Sequence, residues 1–256
     1  MKEIEKHFET VASVVLGRPL KNLEEYDEWL LSNIPEARII EKKSSVSGKM
    51  VYLPSVSFFL ELGEKVISAD EALVLGKKGI GAADVEALSI ANASEKLAAI
   101  KTTTPEIVYG ENIGTEKSVA YGPTQHCFRV CYCWFDKFLA YCYWIRTSDN
   151  CFGSSLLTDC SFCIKCQSST KLMRCFEVAD SNLCSDSYFC QNCEGLQDCM
   201  FCFNAKNLRY AVGNVVVGRE AYLAFKKRML ESIATEIEAE KSLRYSIFNV
   251  CEGKKK

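Results

Sequence analysis

Seven cysteines sit at spacings that could bind metal or carry redox chemistry. Cys160, Cys163 and Cys166 read CxxCxxC, and Cys190/Cys193 with Cys199/Cys202 read CxxC-x5-CxxC. Four thiolates at comparable spacings can hold zinc tetrahedrally. The gap between the last two pairs is short beside the ~12–20 residues of a zinc ribbon. Within the pairs no glycine or proline turns the chain. An iron–sulfur run would place a fourth cysteine sooner after the third, with proline next to it. Here Cys175 follows Cys166 and is itself followed by Phe176. The favoured assignment is no metal and no cofactor. Zinc or iron–sulfur binding, or thiol redox chemistry at these pairs, is the alternative.

Other catalytic patterns are weaker. A cysteine nucleophile needs a base, most often histidine. The only histidines are His7 and His126, and His126 is merely next to Cys127 in sequence. GKKGIG (76–81) matches neither a dinucleotide fingerprint nor a P-loop and reads as a loop between helices. The acid pairs Glu24/Glu25 and Asp70/Glu71 fall at helix starts, where they favour the helix dipole. No catalytic residue is assigned, and the sequence leans away from an enzyme.

The cysteines obey a wider rule that the metal motifs do not need. Residues 127–202 hold fourteen, and all but Cys131 share one register of three. Nine-residue steps link Cys133, Cys142, Cys151 and Cys160, and again Cys166, Cys175, Cys184, Cys193 and Cys202. Where cysteine is missing the same positions hold small or aliphatic residues such as Ser154, Leu157, Ser169, Val178, Ser181 and Leu196, with Asp136 as the charged exception. Stacked small or apolar positions describe an inward face, and a free thiol packs there as a small hydrophobe. A flat strand has period two, so the period of three implies frequent corners. Nine residues suggest half a coil of roughly eighteen, as in nonapeptide β-helices.

Aromatic residues flank the cysteines. Trp134, Tyr143, Phe152, Phe176 and Phe203 each follow one directly. Neighbours in extended chain point to opposite faces, so these rings point outward and form the candidate interaction surface. Either the flanking segments cover them or copies of the chain pack through them.

Those flanking segments read differently. Residues 1–124 form a mixed α+β unit. Ile4, Phe8, Val11, Ala12 and Val15 lie on one helical face, stopped by Gly17 and Pro19. A second helix spans about 22–33 with Asn22 as N-cap. Val56, Phe58, Leu60 and Leu62 alternate as a strand would. Ser68 with Glu71 forms a capping box, and the alanine-rich run 82–100 suits a longer helix. Residues 125–217 are the cysteine-rich β-solenoid. Residues 218–256 form a capping helix with an apolar stripe of Tyr222, Phe225, Met229, Leu230, Ile233 and Ile237, then a basic tail.

The stretches DCSFCIKC (159–166), RCFEV (174–178) and NLCSDSYFC…FCFNAKNLRYAVGNVVVGREAY (182–222) resemble a family of cysteine-rich repeat proteins of archaea, uncultivated bacteria and tailed viruses. The resemblance covers about residues 125–225 and is most specific in FCFNAKNLRYAVGN. It implies a solenoid with a closing motif near Asn204–Asn214 and no assigned activity. Many bacterial relatives open with zinc-ribbon cysteines, but this chain has none before Cys127, so no such role carries over.

Composition limits the partners. The net charge is −2, and residues 127–214 carry eight basic and eight acidic side chains, which gives no footprint for nucleic acid. No signal peptide or membrane-spanning run is visible, so a cytoplasmic protein, or one built into a particle inside the cell, is expected. With no catalytic constellation, a neutral repetitive body and outward rings, the sequence points to a structural protein that self-associates as a homo-oligomer, in a capsid or other shell.

Overall fold

The computed structural model describes residues 1–56, 65–158 and 160–252. It is α+β: an N-terminal helix-and-strand unit, a β-solenoid of about eight coils, and a C-terminal helix. Asp159 and the terminal lysines 254–256 lie outside the described residues. So do Phe58, Leu60 and Leu62, and with them the alternation expected there.

Each coil is twelve residues long. Parallel bridges join Glu116 to Phe128, Phe128 to Ala140 and Ala140 to Phe152 on one wall, and Thr158 to Thr170 and Thr170 to Asn182 on another. The expected coil of about eighteen is therefore corrected. Four walls of three residues make one coil. From Lys117 to Gly213 every third described residue turns a corner with φ between 46° and 65°, Pro123 excepted. This left-handed backbone is disfavoured for residues with a side chain, yet Tyr132, Phe135 and Leu183 all adopt it. Ladder hydrogen bonds on both sides hold each corner. Ala140 N–H donates to Cys151 O at 3.1 Å, and Gly153 N–H donates to Ala140 O at 3.0 Å.

This geometry explains both sequence periods. The residue after each corner points inward, the next forms the ladder and points outward, and the third is the next corner. The register of three marks the inward position. A nine-residue step climbs one coil and goes back one corner. Cys131 breaks the register because it is a ladder residue. Its side chain faces outward and is buried with Val119, Ile39 and Tyr52 beneath the antiparallel pair β1 (Ile39–Lys43) and β2 (Met50–Pro54).

Pairing begins at Val108, which bridges to Tyr121. The solenoid thus takes in residues 108–124, earlier than the boundary drawn at 125. At the other end Asn214 stands in for a missing coil. Phe203 N–H donates to Asn214 Oδ1 at 2.9 Å, and Asn214 Nδ2 donates to Phe203 O at 2.8 Å. The chain then folds back as the antiparallel strand Val215–Val216.

The outward apolar wall is covered from within. It carries Phe128, Ala140, Phe152, Ile164, Phe176, Tyr188 and Met200, all buried in one core with helix α1 (Lys2–Leu16). Helix α6 (Arg219–Glu240) joins that core through Tyr222, Ile233 and Ile237. It lies against α1 and the strands Gln197–Met200 and Arg209–Val212, so it flanks the last coils on the wall that α1 also covers. Gly153 permits the N-terminal unit to dock on this wall. A side chain there would meet the Leu30 carbonyl oxygen at 2.8 Å, and its φ is +64°.

Two local expectations change. Asn22 has left-handed φ and holds the N-cap position without a side-chain bond to the backbone, its Nδ2 donating instead to Glu25 Oε1 at 2.8 Å, and the segment after it is a 3-10 turn (Leu23–Tyr26) leading into the short helix α2 (Asp27–Leu30). Helix α3 (Ala69–Leu75) begins with the expected capping box at Ser68 and Glu71. The run 82–100 is not one helix. It forms α4 (Ala82–Glu86) and α5 (Ala93–Lys96). Asn92 breaks it, accepting from Ser89 N–H at 2.8 Å and donating to Ala87 O at 2.8 Å.

Candidate functional site: the thiol columns and the open surface

The inward positions form four columns, and one hydrogen-bond pattern recurs at their polar members and thiols. The N–H of an inward residue is not used by the ladder; it points to the inward side chain twelve residues earlier. Cys166 N–H donates to Ser154 Oγ at 3.3 Å, Cys193 N–H to Ser181 Oγ at 3.1 Å, and Ser148 N–H to Asp136 Oδ1 at 2.9 Å. Cysteine sulfur plays the same part: Cys142 accepts from Ser154 N–H and Cys193 from Ala205 N–H. Each thiol in turn donates to carbonyl oxygens. The single S–H of Cys142 is shared between Ala140 O at 3.2 Å and Cys151 O at 3.4 Å. A leucine fills the column but offers neither function. Cysteine is small and apolar with one weak donor and one weak acceptor, so it satisfies the backbone without a strongly polar group in the core.

The seven candidate ligands all belong to this core. Cys166, Cys190 and Cys202 share one column; Cys163 and Cys199 share the next. Cys160 and Cys193 occupy the other two. The 160–166 group lies at least two coils from the 190–202 group, about 10 Å or more along the axis at usual strand spacing. Cys160 is bonded to Cys151 in a disulfide, so it pairs across coils at the nine-residue step and not within its CxxC. Thiol contacts do form within Cys163/Cys166 and among Cys190, Cys199 and Cys202. Among the described residues, no three His, Cys, Asp or Glu side chains are placed to hold a metal ion.

Burial sets the chemistry of these groups. It pushes Cys127 up to about 12 and raises Cys133, Cys142 and Cys175 well above the ordinary thiol range. A nucleophilic thiol needs the opposite shift. Cys202 is the exception. Thiol donors from Cys190 and Cys199 hold it below the usual value. Asp136 is raised to about 8 by burial, against the opposing pull of the Ser148 amide.

The histidines do not activate a thiol. His126 is a corner residue, and its ring stacks 5.4 Å from Phe138. His7 stacks on the same Phe138 at 3.5 Å and bonds Asn150 Oδ1 at 2.8 Å. Cys127 faces the core, where its thiol meets Gln125 O and Asp136 O.

The aromatic candidates separate into covered and partly covered. Phe152 and Phe176 are fully buried under the N-terminal unit, which corrects their assignment to an interaction surface. Tyr143 and Phe203 pack half-buried at the edge of that core. Trp134 is half-buried on an open wall with the Arg146 guanidinium 5.3 Å above its ring.

Two features escaped the sequence. Lys165 and Glu177 are corner residues forming a buried ion pair at 3.1 Å. Lys165 Nζ also donates to Ser32 Oγ at 2.9 Å, and Glu177 Oε2 accepts from Ile247 N–H at 2.8 Å. The pair therefore ties the solenoid to the N-terminal unit and to the segment after α6. Burial raises Glu177, with Lys165 opposing. Neither residue carries a spacing signal; Lys165 even falls inside a CxxC.

The second is an arm between Val66 and Thr103, closed at its base by a parallel bridge. It carries α3, α4 and α5, and no residue from Ala69 to Lys101 is buried. Ile90 is 97% and Leu73 74% exposed, and Val74, Val85 and Leu88 are exposed as well. Among the described residues, no helix is long and apolar enough to cross a membrane.

No family model matches the chain, and neither a curated protein nor a solved structure does. The class of protein is thus defined by its architecture alone: a four-walled, cysteine-lined β-solenoid with an uncovered helical arm.

Proposed function

We propose that this is a non-enzymatic structural protein that self-associates through its arm, with the solenoid as a rigid body. The observation that carries the reading is the arm itself. Thirty-odd residues without one buried side chain do not offset their own ordering entropy, and large apolar side chains left exposed along one arm fit an interaction site. A second copy is the favoured partner. The arm carries Asp70, Glu71, Asp84, Glu86 and Glu95 against Lys77, Lys78, Lys96 and Lys101, so two arms meet with little net repulsion. Repeated contacts of this kind would suit a capsid or another shell. Sedimentation velocity over a concentration series tests it. Oligomers that Leu73→Asp with Ile90→Asp reduces to monomer support the reading; a monomer throughout, with the arm intact, overturns it.

Thiol redox chemistry is the second reading. The Cys151–Cys160 disulfide favours it, since it places one oxidised pair inside a stack of otherwise reduced thiols.

A further inference from the structure

Cys193 and Cys202 stand in the same relation as the bonded pair Cys151 and Cys160: nine residues apart, one coil up and one corner back. Cys193 Sγ donates to Cys202 O at 3.4 Å. The other nine-residue neighbour of Cys193 is more distant, with Cys184 Sγ 3.9 Å from Cys193 O. Cys193 is also the inward thiol of these coils nearest solvent. It is 4% exposed where Cys175, Cys184, Cys190, Cys199 and Cys202 are at 0%. It lines a surface hollow of about 550 Å³ with Thr170, Asp180, Asn182, Glu194 and Lys206. Among the described residues the one exposed thiol, Cys251, lies beyond α6 and outside the inward columns.

We infer that Cys193 and Cys202 are a second, solvent-reached disulfide site, oxidised by a low-molecular-weight disulfide that enters the hollow over Cys193. This deepens the redox reading and rests on it, but moves the site from the CxxC pairs to the nine-residue step. In the first step Cys193 Sγ attacks one sulfur of RS–SR. A Cys193–S–S–R bond forms, and RS⁻ leaves and takes up the proton that Cys193 gave to water. In the second, Cys202 Sγ attacks the Cys193 sulfur. The Cys193–Cys202 bond forms, and the second RS⁻ leaves with the proton lost from Cys202. Two protein thiols are oxidised and one RS–SR becomes two RSH. Burial raises Cys193, which makes the first step the slow one. Cys202 is held lower by its two thiol donors, which suits it to resolve the mixed disulfide.

Folded full-length protein carrying Cys251→Ser, treated with oxidised glutathione, tests the site. Cleavage after Glu194 separates Cys190 and Cys193 from Cys199 and Cys202, so fragmentation mass spectrometry reads the linkage. The expected result is a Cys193–Cys202 crosslink that dithiothreitol reverses and that Cys193→Ser abolishes. Serine keeps the backbone hydrogen bond at that position, so this variant retains the fold. A new linkage elsewhere (Cys184–Cys193, Cys190–Cys193 or Cys199–Cys202), or a glutathione adduct that stays on Cys193, overturns the site and leaves the redox reading standing. No newly oxidised thiol in the folded protein overturns both.

Discussion

The thiol of Cys142 donates to the carbonyl oxygen of Cys151, 3.4 Å away and nine residues on. The same atom receives the amide of Ser154, twelve residues on. One sulfur thereby ties its coil to the next as both donor and acceptor. The recurrence of this arrangement explains why the columns hold cysteine, serine and one aspartate.

Cys142→Ser should accordingly be tolerated better than Cys142→Ala. Serine keeps the acceptor for Ser154 N–H and a donor for Cys151 O. Alanine keeps neither, and an unmet buried N–H costs about 1–3 kcal/mol. Urea unfolding should place Ala below Ser by about 1–2 kcal/mol on the same basis. Equal stability of the two would show that the inward hydrogen bonds contribute little.

Asp136 makes stability depend on pH. Its folded value of about 8 lies above the ordinary 3.8. Below pH ~4 both states are protonated and the group is neutral to stability. Between ~4 and ~8 only the folded state keeps the proton, so stability falls as pH rises through that window, and it levels off above it. Asp136→Asn keeps an oxygen for the Ser148 amide and cannot ionise. Thermal melts should show the variant gaining on the parent between pH 5 and pH 8. A constant offset across that range would contradict a buried, proton-holding Asp136.

The Lys165–Glu177 pair should be sensitive to halving. Lys165→Met leaves Glu177 buried without its cation, and breaking such a pair costs about 3–5 kcal/mol. The double change Lys165→Met with Glu177→Leu should recover much of this, because it leaves no unpaired buried charge. Denaturant midpoints of the three variants give the comparison. A double variant no better than the single would mean that the Ser32 and Ile247 bonds carry the stabilisation.

Much of the solenoid was legible because inward positions repeat in sequence. The register of three, its Ser and Leu substitutes and the need for corners all follow from that repetition. Coil length was less legible. Cys133, Cys142, Cys151 and Cys160 advertise nine residues, whereas the ladder that closes a coil at twelve is made by outward residues as unlike as Thr158, Thr170, Asn182 and Glu194. Backbone pairing is indifferent to side chain, so the open wall leaves no trace of it; the trace lies on the covered wall, where Phe128, Ala140, Phe152, Ile164, Phe176, Tyr188 and Met200 are apolar at every twelfth position. The α1 face and the Ser68–Glu71 box were readable from local chemistry. The break at Asn92 was not, since helix propensity says nothing of a side chain that captures Ala87 O and Ser89 N–H. The arm was hidden for another reason. Leu73, Val85 and Ile90 look like core residues in sequence, and only the fold shows them exposed.

Counting reactive thiols in the folded protein tests most directly the claim that the cysteines are sealed structural rungs. Thirteen cysteines are free, twelve of them buried and Cys251 exposed. Under a thiol-specific alkylating reagent Cys251 should react at once and Cys193 next and slowly, with the other eleven protected until the solenoid unfolds. Labelling of the buried columns at the rate of Cys251, with the fold intact, would contradict it.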